Sequence, residues 1–197
     1  IHIGIAERYD MATTAGGYQG MAGDYLFYDG RTSKLGEGSW GIFRVYDKKQ
    51  DDLLMLPNNK DFAKKVKTKV CPADAPVKNF SVSAVNKGLK FNPNTEDEIE
   101  VDFERKLLAA NEEGAIYVLD NEISKVADDG HMPHPLTLRA NMGDCVKVKL
   151  TNRMESGNAS IHANNIAFDP MDSQGINVGN NPGDQTVAPG QAKTYTF

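Results

Sequence analysis

The chain has 197 residues, of which 40% are hydrophobic and 25% are charged, and its net charge is −5. These values are ordinary for a globular protein, and the acidic balance argues against nucleic acid as a partner. No apolar run approaches the roughly 18 residues that a membrane-spanning helix requires, so no membrane span is expected.

Strand patterns dominate the first part of the chain. Alternation of apolar and polar residues predicts strands at residues 1–10, 24–28 and 39–47. A loop of small residues separates the first two strands, and residues 31–38 form a polar, Gly-rich connection between the last two. Residues 1–47 are therefore predicted to be a loop-rich β segment. The polar stretch 48–75 is predicted to be a linker, with a short helix at 61–69.

The remainder, residues 76–197, carries a second series of strand patterns. Strands are predicted at 77–85, 99–103, 115–119, 136–141, 146–152 and 192–197. One or two helical turns are predicted over 122–128, ended by Asp129-Gly130. The Gly143-Asp144 pair predicts a tight turn between two of these strands. The last pattern stops without a following partner, so we expect the sequence to be cut from a longer one.

Two cysteines, Cys71 and Cys145, leave two alternatives open. They are either two free buried thiols or one disulfide, which would suit an oxidising compartment. Their spacing does not fit a zinc or redox motif. Two sequons, Asn79-Phe80-Ser81 and Asn158-Ala159-Ser160, match the glycosylation pattern, although such triplets also arise by chance.

Two further stretches carry residue types that bind metals. His131 and His134 lie among prolines, which favour an extended path that separates the imidazoles. A connector is therefore favoured there over a metal site. The loop 169–184 holds hard oxygen ligands among glycines, at Asp169, Asp172, Asn177, Asn180 and Asp184. Its composition favours a surface loop rich in turns, with a calcium site as the alternative.

The stretch from Ser160 to Phe197 resembles the first copper-motif region of a cupredoxin domain in the multicopper oxidase family. That family's pattern begins Ser-(Leu/Ile/Met)-His-x-His-Gly, which Ser160, Ile161 and His162 match. The positions of the second His and the Gly hold Asn164 and Asn165. The end of the motif is matched by Pro189, Gly190, Gln191, Tyr195 and Phe197.

Residues 23–45 resemble the closing copper motif of the same family. Gly23-Asp24-Tyr25-Leu26-Phe27 matches its opening, and Glu37-Gly38 with 40–45 matches its end. The family's ligand positions, however, hold Tyr28, Asp29, Gly30, Lys34 and Ser39. A third stretch, residues 135–152, resembles the family's Pro-Leu-x-x-Arg-x-x-x-Gly-Asp opening and Leu-Thr-Asn ending.

The resemblance implies an all-β fold, a cupredoxin-like Greek-key β-sandwich. It places the end of one domain at 1–47, a linker at 48–75 and the N-terminal part of a second domain at 76–197. The chain would then be an internal fragment of a larger, extracytoplasmic, multi-domain protein. A blue-copper site needs imidazoles and a thiolate, which the residues at the ligand positions of 23–45 do not supply, so this domain is expected to have lost its copper.

His162 is the one residue at a family ligand position that keeps ligand chemistry. In the family this position helps to bind a copper of the oxygen-reducing cluster between two domains. Three interpretations stay open: a remnant His satisfied by hydrogen bonds, a metal ligand completed by other parts of the parent, and a pH-responsive group. No catalytic residue is predicted within the chain.

Two functions follow from the resemblance. The first is a copper-free scaffold within a multicopper oxidase-like parent, which would oxidise a phenol or metal ion with copper and reduce oxygen. The alternative is a non-catalytic structural or adhesive cupredoxin module of a surface assembly. Incomplete sandwiches leave unpaired strand edges, so the expected partners are the remaining parent segments or other copies of the chain.

Overall fold

The structure is a computed structural model that describes residues 8, 10, 12–17, 19–30, 32–54, 70–86, 89–90, 110–111, 114–126, 135–164 and 166–197. The predicted helix at 61–69, the strand at 99–103, His131 and His134 lie outside the described residues. Almost all of the predicted strand at 1–10 lies outside them as well. The described part is mostly β-sheet with few helices, consistent with a β-sandwich.

The described strands and helices are short. The strands are β1 (Gly23–Tyr28), β2 (Trp40–Val45), β3 (Val77–Asn86), β4 (Leu89–Lys90), β5 (Ala110–Asn111), β6 (Ala115–Leu119), β7 (Cys145–Asn152) and β8 (Ala192–Thr196). The helices are α1 (Thr32–Gly36), a 3-10 turn (Asp120–Glu122) and α2 (Ile123–Val126).

Most predicted elements within the described residues are confirmed, and one prediction is wrong. Residues 136–141 are not a strand. Leu136 and Leu138 do alternate with exposed neighbours and pack on the core, but no described strand forms a ladder with them. Within the polar connection 31–38, residues 32–36 form the helix α1, which is too short for a helical period to show in the sequence.

The chain divides into two compact units, Ile1–Val70 with Val178–Asn181, and Cys71–Asn177 with Pro182–Phe197. The first unit contains the antiparallel hairpin β1–β2, in which Asp24 lies opposite Arg44 and Phe27 opposite Gly41. The ring of Phe27 lies over Gly41, where any Cβ would collide with it. The same ring contacts Phe43 with centroids 4.7 Å apart.

The second unit contains a four-stranded sheet with the order β6-β3-β7-β8. β3 and β7 run parallel, whereas β6 and β8 are antiparallel to their neighbours. β4 and β5 pair separately as two short antiparallel strands. The parallel pair requires a crossover connection, because adjacent parallel strands cannot be joined by a tight turn.

The core lies on one face of this sheet. Strand alternation directs the buried apolar side chains of β3, β7 and β8 to that face, and three residues outside the strands complete it; the cluster is Val82, Ala84, Val148, Leu150, Ala159, Val187, Tyr195 and Phe197. The opposite face carries Lys147, Lys149 and Thr194. A sheet with one apolar and one polar face is typical of one layer of a sandwich.

Cys71 and Cys145 form a disulfide with their Cα atoms 5.3 Å apart. Of the two alternatives that the sequence leaves open, the bonded one is therefore present. The bond ties the segment before β3 to the first residue of β7 and fits an oxidising compartment. Within the described parts of the chain, no helix is long and apolar enough to span a membrane.

Candidate functional site

The turn between β1 and β2 carries the residues that the sequence resemblance compares with copper ligands. The Asp29 N–H donates to the Ser39 carbonyl oxygen over 3.1 Å and so continues the hairpin beyond the strands. Lys34, which lies in the short helix α1, forms an ion pair with Glu37, the residue that follows the helix. A protonated lysine has no lone pair for a metal. Oxygen donors and a cationic amine do not fit a blue-copper site.

His162 lies in the second unit, half-buried, in the irregular segment that follows Ala159. Its Nδ1 is 2.7 Å from the carbonyl oxygen of Gln174. Because a carbonyl only accepts, the Nδ1–H donates this bond, and in a neutral imidazole the lone pair is then on Nε2. The imidazole also meets the Phe168 ring edge-on, with centroids 5.7 Å apart. The ring is thus oriented by one hydrogen bond and one aromatic contact.

The carbonyl of Gln174 reaches His162 because the next residue is a glycine. Gly175 has a φ of +72°, a conformation that side chains disfavour. A Cβ at this position would also strike the Ile161 carbonyl, which belongs to the residue before His162. The close approach of the two backbone segments therefore requires glycine, and it brings the Gln174 carbonyl next to the imidazole.

Gln185 is the buried residue that holds this loop in place. Its Oε1 accepts from the backbone N–H groups of Gln174 and Gly175, at 2.7 and 3.1 Å. Its Nε2 donates to the Pro170 carbonyl over 2.6 Å. Only 1% of Gln185 is exposed, so these bonds replace the water that the amide has lost. Gln185 thereby positions the carbonyl that orients His162.

Tyr195 supports Gln185 from the core. Its hydroxyl donates to the Gln185 carbonyl oxygen over 2.6 Å. Burial raises the pKa of Tyr195 to about 12, so the hydroxyl remains a donor at neutral pH. The Pro-Gly-Gln-x-x-x-Tyr stretch noted in the sequence thus contributes a structural hydrogen bond. No sequence pattern indicated the buried Gln174 and Gln185, because glutamine in a polar loop is ordinarily exposed.

The position that the resemblance compares with a second histidine holds Asn164, which is exposed. Across the described residues, no group of three or more His, Cys, Asp or Glu side chains could hold a metal ion. His131 and His134 lie outside the described residues. What the described site offers is one oriented imidazole. A single imidazole fits one bond of a copper site and needs further ligands from elsewhere.

The oxygen-rich loop uses its carboxylates in local turns. The Met171 N–H donates to Asp169 Oδ1 over 2.9 Å, and Lys193 pairs with Asp172 at 3.3 Å. Asp184 Oδ1 accepts from Asn177 Nδ2 and from the Thr186 N–H, both at 2.9 Å. The hydrogen bond from Asn177, followed by those from Thr186, lowers the pKa of Asp184 to about 2. These contacts favour the surface loop over the calcium alternative.

A second polar cluster belongs to the first unit and centres on Asp24, of which 3% is exposed. Arg44 donates to both carboxylate oxygens, each over 2.8 Å, and the Asn180 N–H donates to Oδ2 over 2.6 Å. The Arg44 hydrogen bond holds the pKa of Asp24 below its ordinary value, although burial opposes this. The same pair raises the pKa of Arg44.

Asn181 pairs with the peptide of Asp24 as a neighbouring strand would. The Asp24 N–H donates to Asn181 Oδ1, and Asn181 Nδ2 donates to the Asp24 carbonyl, both over 2.8 Å. Gly179 is required beside it, since a Cβ there would collide with the Asp24 carboxylate. The pairing of Asp24 with Arg44 could have been found by aligning the two predicted strands of the hairpin, whereas the partner at Asn181 could not.

Comparison with known proteins adds no relative. No family model matches the chain, and no curated protein matches it.

Proposed function

We propose that this chain is a copper-free scaffold segment of a larger protein that resembles the multicopper oxidases. Residues 1–47 would close one cupredoxin-like Greek-key sandwich, and 76–197 would open the next. The one-sided core of the four-stranded sheet supports the sandwich part of this proposal. The disulfide supports an extracytoplasmic location.

The observation that carries the proposal is that residues at the family's ligand positions in the β1–β2 turn make structural contacts with one another and with the hairpin. Lys34 is engaged with Glu37, and Asp29 and Ser39 close the hairpin through their backbones. These residues stabilise the turn through contacts that do not depend on a metal. The scaffold role follows because a fold can persist after the chemistry of its site has changed.

The geometry of His162 favours a second candidate, an oxidase in which this chain lies at the edge of a copper cluster. Metal-ligating histidines commonly donate their other ring N–H to a carbonyl, which fixes the tautomer. His162 has this arrangement through its Nδ1, which bonds to the Gln174 carbonyl, so that a metal would be bound through Nε2. The remaining ligands would come from other segments of the parent. The imidazole would supply one nitrogen, and the bound copper would supply the redox chemistry.

Copper content and the visible spectrum separate the two candidates. The protein is purified from its own cells as the full parent, and its copper is measured together with its blue absorption. The scaffold proposal predicts that the copper content and blue absorption of the parent are the same in the wild type and in a His162→Gln variant, because the chain itself supplies no copper ligand. A lower copper content in the His162→Gln variant than in the wild-type parent would overturn the scaffold proposal in favour of the oxidase. His134→Gln is the control, because it also removes one of the four histidines but at a position that the resemblance does not compare with a copper ligand.

If the parent holds no copper, the scaffold would serve as a non-catalytic structural or adhesive module of a surface assembly. Its association would use strand edges. β8 is the terminal strand of the described four-stranded sheet. Its outer edge is partly covered, because the Thr196 N–H donates to Ser173 Oγ over 3.0 Å. The preceding residues of β8 leave backbone groups for a further strand, from another copy of the chain or from the parent.

A further inference from the structure

The sequon Asn79-Phe80-Ser81 lies in the first half of β3, where the strand presents its polar face. Phe80 packs against the core cluster. Because successive side chains alternate across a sheet, Asn79 and Ser81 share the opposite face. Both are exposed. We propose that Asn79 is an acceptor site for an N-linked oligosaccharide.

The surroundings of Asn79 leave room for a bulky substituent. Asn79 is paired with Lys147 and Ser81 with Lys149, and both lysines lie on the same polar face. Thr194, opposite Lys149 on β8, belongs to that face as well. A hydrophilic oligosaccharide suits this polar surface, whereas the apolar face of the sheet is already buried. Glycosylation at Asn79 therefore leaves the core contacts unchanged.

The disulfide is an independent observation that fits an oxidising compartment. Cys145 is the first residue of β7 and lies opposite Val77, two residues before Asn79. Disulfides form in the oxidising spaces of the secretory route, which is also where sequons are modified. One segment of the sheet therefore combines an exposed sequon with a bond typical of secreted proteins.

The second sequon is the less suitable acceptor. Asn158 is exposed, but its Nδ2 donates to Thr186 Oγ1 over 2.8 Å. Its neighbour Ala159 exchanges two backbone hydrogen bonds with Val187, at 2.9 and 2.8 Å. A sugar on Nδ2 would compete with the Thr186 bond at the point where these two segments meet. The structure therefore distinguishes the two sequons, although their sequence patterns are equivalent.

The modification is a group transfer from a lipid-linked oligosaccharide pyrophosphate, catalysed by a membrane transferase. The amide Nδ2 of Asn79 attacks C1 of the terminal sugar, and a C1–N bond forms. The bond between C1 and the pyrophosphate oxygen breaks, and the lipid pyrophosphate leaves with its electron pair. Nδ2 gives up one proton to a base of the transferase. No atom changes its oxidation state overall.

The test is secretion of the full 197-residue chain from eukaryotic cells, followed by peptide mass spectrometry with and without an amidase that removes N-glycans. We expect the Asn79 peptide to carry the oligosaccharide, and amidase treatment to convert Asn79 to Asp. Asn79→Gln and Ser81→Ala should each abolish it. Ser81→Thr is the matched control, because it preserves the sequon and suits an exposed strand position.

Asn158→Gln provides the second comparison. It should leave the glycan at Asn79 unchanged. The proposal is overturned if the secreted wild-type chain has an unmodified Asn79, or if the glycan at this peptide persists in Ser81→Ala. Because Ser81→Ala alters neither Asn79 nor the core, loss of folding does not obscure the result; the recovered Ser81→Thr protein confirms that this position tolerates substitution.

Discussion

Gln185 shows how one buried side chain can organise an irregular segment. Its amide serves two backbone N–H groups and one carbonyl, and its own carbonyl receives the Tyr195 hydroxyl. None of these bonds belongs to a regular ladder. The loop that approaches His162 therefore depends on this residue more than on local backbone pairing.

Gln185→Ala should lower the free energy of unfolding of the second unit by about 3 kcal/mol, because each buried group left without a partner costs about 1–3 kcal/mol. Denaturant unfolding followed by circular dichroism measures this. Gln191→Ala is the matched control, since Gln191 is exposed and its substitution should change stability by less than about 0.5 kcal/mol. Equal effects of the two variants would show that Gln185 is not the organising residue.

Asp24 makes the stability of the β1–β2 hairpin depend on pH. Its pKa in the folded chain lies below the ordinary value of 3.8, chiefly because of the Arg44 hydrogen bond. A depressed folded-state pKa contributes stability that is present above pH 3.8 and is lost as the pH falls through the lower, folded-state pKa. The β1–β2 hairpin should therefore weaken in acid.

Asp24→Asn isolates this contribution. It should destabilise the hairpin by about 2 kcal/mol at neutral pH, since a hydrogen bond to a charged group contributes about 1.5–3 kcal/mol. The difference from the wild type should shrink as the pH falls below 3.8. Trp40, the single tryptophan, lies in β2 and reports the transition by fluorescence. A difference that does not vary with pH would show that the carboxylate charge is unimportant there.

At the scale of the element, the strands that were predicted best from the sequence were those with alternating burial and a ladder partner. The strand at 115–119 has the bounds of β6, and the predicted strand at 192–197 contains β8. Residues 136–141 show the limit of this reasoning, because alternating burial alone does not specify hydrogen bonding to a neighbour. The helix α1 was missed because a single turn carries no period.

The candidate site was less predictable than the strands. His162 could be selected from its motif, but its tautomer depends on a carbonyl that lies twelve residues away in the loop. The loop at Gln174 lies close to His162 because of Gly175 and Gln185. Gln185 is ten residues beyond Gly175 and accepts a hydrogen bond from its N–H. Such long-range contacts between irregular segments have no periodic signal. The structure was needed to find them.

The disulfide is the covalent link between elements, and its removal gives another prediction. It joins residues separated by 74 positions, and the loop-entropy relation assigns such a closure about 4 kcal/mol. Reduction, or the double substitution Cys71→Ser with Cys145→Ser, should destabilise the second unit by about that amount. Thermal unfolding with and without reductant measures the effect.

The double variant is also the control for that experiment. Reductant should lower the melting temperature of the wild type and leave that of the variant unchanged. If reductant lowers the melting temperature of the wild type and of the double variant equally, its effect does not come from this disulfide. If neither the substitution nor reductant changes the melting temperature, the bond does not restrain the unfolded chain, and the closure argument fails.

At the scale of the whole molecule, we expect copies of the chain to associate through the sheet edge at β8. Val146 and Phe197 exchange two backbone hydrogen bonds, and the Asn152 N–H donates to the Gln191 carbonyl. Antiparallel pairing alternates between bonded and non-bonded residues. Thr194, opposite Lys149, is therefore a non-bonded residue whose backbone N–H and C=O point away from β7. An added strand would pair with Thr194.

Thr194→Pro should prevent that pairing while preserving the fold. Proline removes the outward N–H, and an edge strand tolerates it where that N–H does not belong to its own sheet. Thr194→Val is the matched control, because it retains the N–H and a β-branched side chain. Sedimentation of the full chain over a range of concentrations should show association for the wild type and Thr194→Val, and a monomer for Thr194→Pro. If all three sediment alike while circular dichroism shows equal folding, the β8 edge is not the route by which copies meet.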